Sequence, residues 1–258
     1  MTKFNNWITC PHPEPNAQVR LFCLPFAGGG ASIYRPWGKL LGSEIEVCPI
    51  QLPGRENRFS ETPIKQAQAM AQSLANQIQL YSNKPFFIYG HSMGALLAFE
   101  LARALQENGM DMPQGIFLAA HRAAHLPRKR EALYALPDDQ FIDRLKRFGG
   151  FPQEVLDSKE LLAFLMPTLK ADFTLCDTYQ FQSGTVLQCP LHLLAGNDDI
   201  EASPDVVEPW SQHTADVAKL HVLSAGHFFL RTHQDELIQI LKKVILPATE
   251  NELANIHA

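Results

Sequence analysis

The chain has 258 residues, 46% hydrophobic and 19% charged, with a formal net charge of −5. That composition supports a full core, and the charge is too mild for a nucleic-acid binder or a disordered acidic chain. Five scattered cysteines without a C-x-x-C pair, a polar start with no apolar leader, and no long apolar run favour a cytoplasmic protein over a secreted or membrane one.

Along the chain, short apolar runs alternate with helical patterns. Strands are expected at Val19–Leu24, Glu46–Ile50, Phe86–Tyr89, Gly115–Ala120, Pro190–Ala195 and Lys219–Leu223, mostly continuous apolar runs suited to parallel strands buried on both faces. Between them the periodicity predicts helices over Ser32–Leu41, Pro63–Tyr81, Ala95–Asn108, Pro204–His213 and Gln234–Val244, with Pro63 opening one and Gly109 just past the end of another. This alternation implies an α/β fold, a mostly parallel sheet covered by helices on both faces. From His121 to Gly184 the pattern is helical without a strand: Leu161, Leu162, Phe164, Leu165, Leu169 and Phe173 recur at helical spacing. We read residues 1–258 as one domain, with 121–184 inserted as a helical lid.

The segment Phe86-Phe87-Ile88-Tyr89-Gly90-His91-Ser92-Met93-Gly94 carries the chemistry. Gly90 and Gly94 flank Ser92 in the G-x-S-x-G spacing, after a strand and before a helix. A sharp strand-to-helix turn lifts the serine oxygen clear of the sheet, and side chains at the two glycines would collide with backbone. The following helix turns its positive end toward developing negative charge.

A serine hydroxyl needs a base, and an imidazole needs a carboxylate to orient it. In the α/β-hydrolase order the acid and then the histidine follow the serine along the chain. Of ten histidines, His12 and His257 lie in the tails and His91 in the turn itself. His192 and His221 sit in strands, where a satisfied core histidine is expected. His213 and His233 fall in helical segments, and His121 and His125 precede any suitable acid. His227 follows the last strand on a glycine turn and is the expected base. Asp198 or Asp199, after the preceding strand, is the expected acid. Two oxyanion donors are also required. The Met93 N–H is the first. The second comes from Leu24-Pro25-Phe26-Ala27-Gly28-Gly29-Gly30, as the Ala27 N–H or its neighbour Phe26. That loop lacks the G-x-G-x-x-G pattern of a dinucleotide site.

Several segments together resemble the type II thioesterases that accompany non-ribosomal peptide and polyketide synthases. They are Leu24-Pro25-Phe26-Ala27-Gly28-Gly29, Ser32-Ile33-Tyr34-Arg35-Pro36-Trp37, Leu52-Pro53-Gly54-Arg55, Gly90-His91-Ser92-Met93-Gly94-Ala95, Leu169-Lys170-Ala171-Asp172-Phe173 and Gly226-His227-Phe228-Phe229-Leu230. The resemblance implies the α/β-hydrolase fold, a triad on Ser92, Asp199 and His227, and oxyanion donors on Ala27 and Met93. A proline often follows the acid in that family; Ile200 follows here. The implied activity is hydrolysis of aberrant or stalled acyl thioesters on the phosphopantetheine arm of carrier domains. No metal or organic cofactor is called for, and neither nucleic acid nor membrane is a partner.

Arg122, Arg128, Lys129, Arg130, Arg144, Lys146 and Arg147 form a basic run on and around the lid. It reads first as a solvated helix face and, alternatively, as a docking surface for an acidic carrier domain. Arg55 recurs in the type II thioesterase family, which invites a functional role, and reads at least equally as a partner in a loop-bracing ion pair; it is left out of the catalytic set. Two other readings share the fold: a general carboxylesterase or acyltransferase, and a non-catalytic binding protein.

Overall fold

The computed structural model describes residues 5–148, 155 and 157–246. His257, part of the 121–184 stretch and the side chain of Arg147 lie outside what is described. Six strands form one sheet: β1 (Val19–Leu24), β2 (Ile45–Pro49), β3 (Phe86–His91), β4 (Gly115–Ala119), β5 (Leu191–Gly196) and β6 (Ala218–Leu223). Their order is β2-β1-β3-β4-β5-β6, and every neighbouring pair is parallel. The chain leaves β1 outward to β2 and returns on the other side as β3. This reversal opens a crevice at the carboxyl ends of β1 and β3, where ligands bind in open parallel sheets.

The strands form from continuous apolar runs because both faces are covered. On one face Phe22, Ile88, Ile116 and Leu193 meet helices α2 (Ala67–Ile78) and α3 (Met93–Glu107). On the other, Leu21, Cys23, Tyr89 and Phe117 meet Trp37 of α1 (Trp37–Leu41) and Leu237 and Leu241 of the last helix, Gln234–Ile245. Residues Met93–Leu105 of α3 are all buried, so this helix is held on every side and fixes the turn before it. It ends as expected at Gly109, whose φ is +62. Met110 N–H reaches Leu105 C=O at 2.9 Å and Gly109 N–H reaches Gln106 C=O at 3.1 Å, a Schellman stop.

Three helical expectations are corrected, each by proline. Pro63 does not open a helix: α2 begins at Ala67 after extended Gln66, and the Pro63 ring lies against Gly54, whose φ is +83. The stretch Ser32–Leu41 is two short turns, Ala31–Tyr34 and α1, divided at Pro36 because it has no N–H to continue the ladder. Pro204–His213 is likewise one α-turn, Pro204–Val207, tightening to a 3₁₀ turn from Glu208, beside Pro209. A turn over Phe229–Thr232 was not foreseen.

Among the described residues between β4 and β5 are the helices α4 (Asp138–Phe148) and α5 (Lys159–Thr178). Ser158 caps α5 by accepting the Leu161 N–H at 3.2 Å. Phe141 and Leu145 of α4 pack on Met166, Leu169 and Phe173 of α5 in a small core of their own. Among the described residues no helix is long and apolar enough to cross a membrane.

Candidate active site

Ser92 lies between β3 and α3 with φ +54 and ψ −117, a strained conformation for a residue with a side chain. The flanking glycines are what permit it. A Cβ on Gly90 would fall inside the Gly94 backbone, and one on Gly94 would strike the carbonyls of Leu24 and Pro25. The turn is also tied to the neighbouring strand, since Ser92 N–H donates to Ala119 C=O at 2.8 Å.

His227 stands in the loop after β6. Its Nε2 is 3.0 Å from Ser92 Oγ and its Nδ1 is 2.7 Å from Asp199 Oδ2. The aspartates left open by the sequence diverge. Asp198 is exposed, with its N–H on Ala225 C=O at 3.1 Å. Asp199 is 2% exposed, and its Oδ1 accepts the N–H groups of Glu201 and Ala202 at 2.9 and 3.0 Å. Burial works to raise the Asp199 pKa, but hydrogen bonding and charge from His227, with the two N–H groups, hold it below the ordinary value. The carboxylate is therefore ionised and aimed at Nδ1, which keeps Nε2 free to accept the serine proton.

His91, which sequence reasoning left in the turn, is wholly buried beneath this chain. Its Nε2 lies 2.9 Å from His227 C=O and its Nδ1 3.2 Å from Tyr89 Oη. Burial, assisted by the charge of His227, pushes its pKa down to about 3, so the ring is neutral. A carbonyl only accepts, so Nε2–H donates to His227 C=O and Nδ1 accepts from Tyr89. His91 thus anchors the backbone of His227. Its place beside Ser92 on a buried strand was the only signal in the sequence.

Ala27 follows Phe26, whose ring packs edge-on against Phe228 at 5.1 Å between centroids. Gly28 has φ +78, and its N–H donates to Asp172 Oδ2 at 2.7 Å. Asp172, on α5, also receives both terminal nitrogens of Arg55 at 2.7 Å, in a pair 5% and 1% exposed. Arg55 Nη1 further donates to Gly29 C=O at 3.0 Å. The expected loop-bracing ion pair is present, and what it braces is the glycine loop. Among the described residues, the Ala27 and Met93 N–H groups have no protein acceptor; Met93 is the first residue of α3.

These groups open onto a cavity of about 550 Å³, lined by Phe26, Ala27, Ser92, Met93, His227 and, across from them, Phe173 of α5. The basic run is not one solvated face. Arg128 and Arg130 turn inward, 3.3 and 2.9 Å from Asp177 Oδ1, and Arg130 also reaches Glu201 at 3.3 Å. Arg144 and Lys146 do stand in solvent. His192 and His221 are not the satisfied core histidines expected: His192 Nδ1 and His221 Nε2 are buried without a hydrogen bond.

Residues 19–245 match the thioesterase-domain family. The chain is 39% identical to linear gramicidin dehydrogenase LgrE of Brevibacillus parabrevis, over 93% of each chain. It is 37% identical to gramicidin S biosynthesis protein GrsT of Aneurinibacillus migulanus, over 94% of this chain and 95% of that one. Among solved structures, the type II thioesterase BorB from the borrelidin biosynthetic cluster superposes with a TM-score of 0.86 at 32% identity, over 94% of this chain and 99% of BorB.

Proposed function

The chain belongs to the thioesterase family, and from that premise we propose that it is a type II thioesterase. It hydrolyses aberrant or stalled acyl thioesters on the phosphopantetheine arm of peptide- and polyketide-synthase carrier domains, through an acyl enzyme on Ser92. The observation that carries this reading is the unbroken hydrogen-bonded line from Ser92 Oγ through His227 to Asp199, at 3.0 and 2.7 Å. The match to BorB and the biosynthetic relatives supports the substrate class. Five free thiols suit a reducing cytoplasm.

In the proposed course, His227 Nε2 takes the Ser92 proton as Oγ bonds to the thioester carbon. The carbonyl oxygen gains the negative charge and is held by the Ala27 and Met93 N–H groups, at the positive end of α3. The C–S bond then breaks, and the sulfur leaves with the proton carried by His227. A thiol, with a pKa of about 8.5, departs with little help from an acid. Water repeats the sequence: His227 takes its proton, oxygen bonds to the acyl carbon, and the bond to Oγ breaks to free the acid as His227 returns the proton to Ser92 Oγ. The helices between β4 and β5 cover the crevice as a lid.

Mass spectrometry of carrier domains loaded with different acyl groups tests this. The expected result is free phosphopantetheine thiol on the carrier with the protein, and intact acyl-carrier with the Ser92→Ala variant. Simple esters cleaved while every acyl-carrier survives would move the protein to the esterases.

A further inference from the structure

The charges around the cavity do not balance. Four cations line it, Arg122, Arg128, Lys129 and Arg130, against the three carboxylates of Asp177, Glu201 and Asp205. Arg128 and Arg130 share Asp177, Arg130 also meets Glu201, and Lys129 acts on Asp205. Arg122 is left over. Its Nε is buried with no hydrogen bond, and among the described residues no carboxylate comes within ion-pair distance of it. Its own backbone is fixed: the carbonyl meets His121 Nδ1 at 2.7 Å, and the His121 carbonyl accepts from Trp210 Nε1 at 2.8 Å. Burial lowers the Arg122 pKa, joined by the positive charges of Arg128 and Arg130 and opposed by Cys176 and, beyond ion-pair distance, by Asp177, which Arg128 and Arg130 already share. A guanidinium stays ionised in proteins, and leaving such a charge unpaired in a partly buried site costs stability.

Arg122 also shares the chamber of the reacting groups. It comes shortly after Ala119, whose carbonyl holds the Ser92 N–H, and it lines the same cavity as Ser92 and His227. From the proposed reading of that site as a thioesterase, on which this rests, we infer that Arg122 is a specificity-determining residue that receives a carboxylate on the acyl group. The substrate class is then the half-acid acyl thioester, whose far carboxylate forms a charge-assisted pair with the guanidinium and completes the cavity's charge balance. The acyl group, not the arm, is the source of the anion. The phosphate of phosphopantetheine lies the whole length of the arm from the thioester, whereas Arg122 opens on the chamber that holds Ser92.

The test compares pantetheine thioesters of a dicarboxylic half-acid, adipoyl, with its neutral counterpart, hexanoyl, and repeats the hexanoyl measurement on phosphopantetheine. An all-apolar pocket would reject the half-acid strongly; the wild-type protein is expected to hydrolyse it at least as well as hexanoyl by kcat/KM. In Arg122→Met that half-acid preference should fall at least tenfold, mainly through KM, and Arg122→Lys should retain part of it. An unchanged ratio in Arg122→Met, or a wild-type protein that rejects adipoyl, overturns the inference. So does a loss in Arg122→Met seen only with the phosphorylated arm, which would assign Arg122 to the phosphate. If neither thioester is cleaved by the wild type, the proposed function has failed instead.

Discussion

The carboxylate of Asp172 takes the Gly28 N–H at 2.7 Å, and this bond joins α5 to the glycine loop that carries Ala27. Asp172 holds that position only because Arg55 grips it from the other side with two bonds of the same length. Removing either partner leaves a buried unpaired charge, at about 3–5 kcal/mol. Asp172→Ala should therefore melt well below the wild type. The double variant Arg55→Met/Asp172→Leu removes both charges and should recover most of that stability, yet its kcat should stay low because Gly28 has lost its acceptor. A double variant with full kcat would show that the bond does not position the loop.

The two neighbouring aspartates should separate sharply in kinetics. Asp199→Asn keeps the shape but reverses what His227 Nδ1 meets, and a loss of roughly 10⁴-fold in kcat is expected from the wrong tautomer. Asp198→Asn, at an exposed position, should change kcat less than twofold. Comparable losses in both would remove Asp199 from the proposed triad. Ser92→Ala should lose labelling by an active-site serine probe, while Asp198→Asn keeps it.

Acid should destabilise the fold well above the carboxylate range. Burial pushes His91 and His121 down to about 3, and His192 and His213 down to about 4. An unfolded chain protonates these rings below about pH 6.5, so between there and about pH 3–4 it binds more protons than the folded one. Stability therefore falls as pH falls through that window. The two most strongly depressed rings, those of buried His91 and half-buried His121, alone give a slope of about 2.7 kcal/mol per pH unit at its steepest. Asp199, held below its ordinary pKa, adds stability above the unfolded value that is lost as pH drops through the folded one, so it acts in the same direction. Urea titrations across the window measure the slope, and a flat profile would contradict the neutral burial of His91 and His121.

Gly94→Ala should be more damaging than its size suggests. The added methyl meets the Leu24 carbonyl and comes within 2.9 Å of Pro25 O, so the strand end leading to Ala27 must shift. Overpacking of this kind costs about 1–3 kcal/mol, and displacement of Ala27, the proposed oxyanion donor, about a hundredfold in rate. The expected variant is folded by circular dichroism and nearly inactive; wild-type turnover would argue against contact between the two loops.

The sheet was legible because its strands are short apolar runs with helical patterns between them, and β1 falls on the residues predicted for it. Helix starts were less legible wherever a proline could serve two ends. Pro63 fits a first turn on paper, but its ring is used to pack against Gly54. Ser92 and His227 could be named from local pattern because each sits on a turn that its own glycines define. Local pattern left Asp198 and Asp199 both open, and the family resemblance alone pointed to Asp199, since the difference is which side chain the turn buries. The contacts of Asp172 with Gly28, and of His91 with His227, join segments 144 and 136 residues apart. No window of local sequence contains both members of either pair.

The proposed reacting pair, Ser92 and His227, spans 135 residues of chain, and its second member follows β6, an edge strand that among the described residues pairs with β5 alone. A polypeptide emerging from the ribosome would therefore carry Ser92 long before it carried His227, the proposed base. Recovery of turnover after dilution from denaturant should report the docking of that last strand. Enzyme activity is in this sense a clock for one border of the sheet.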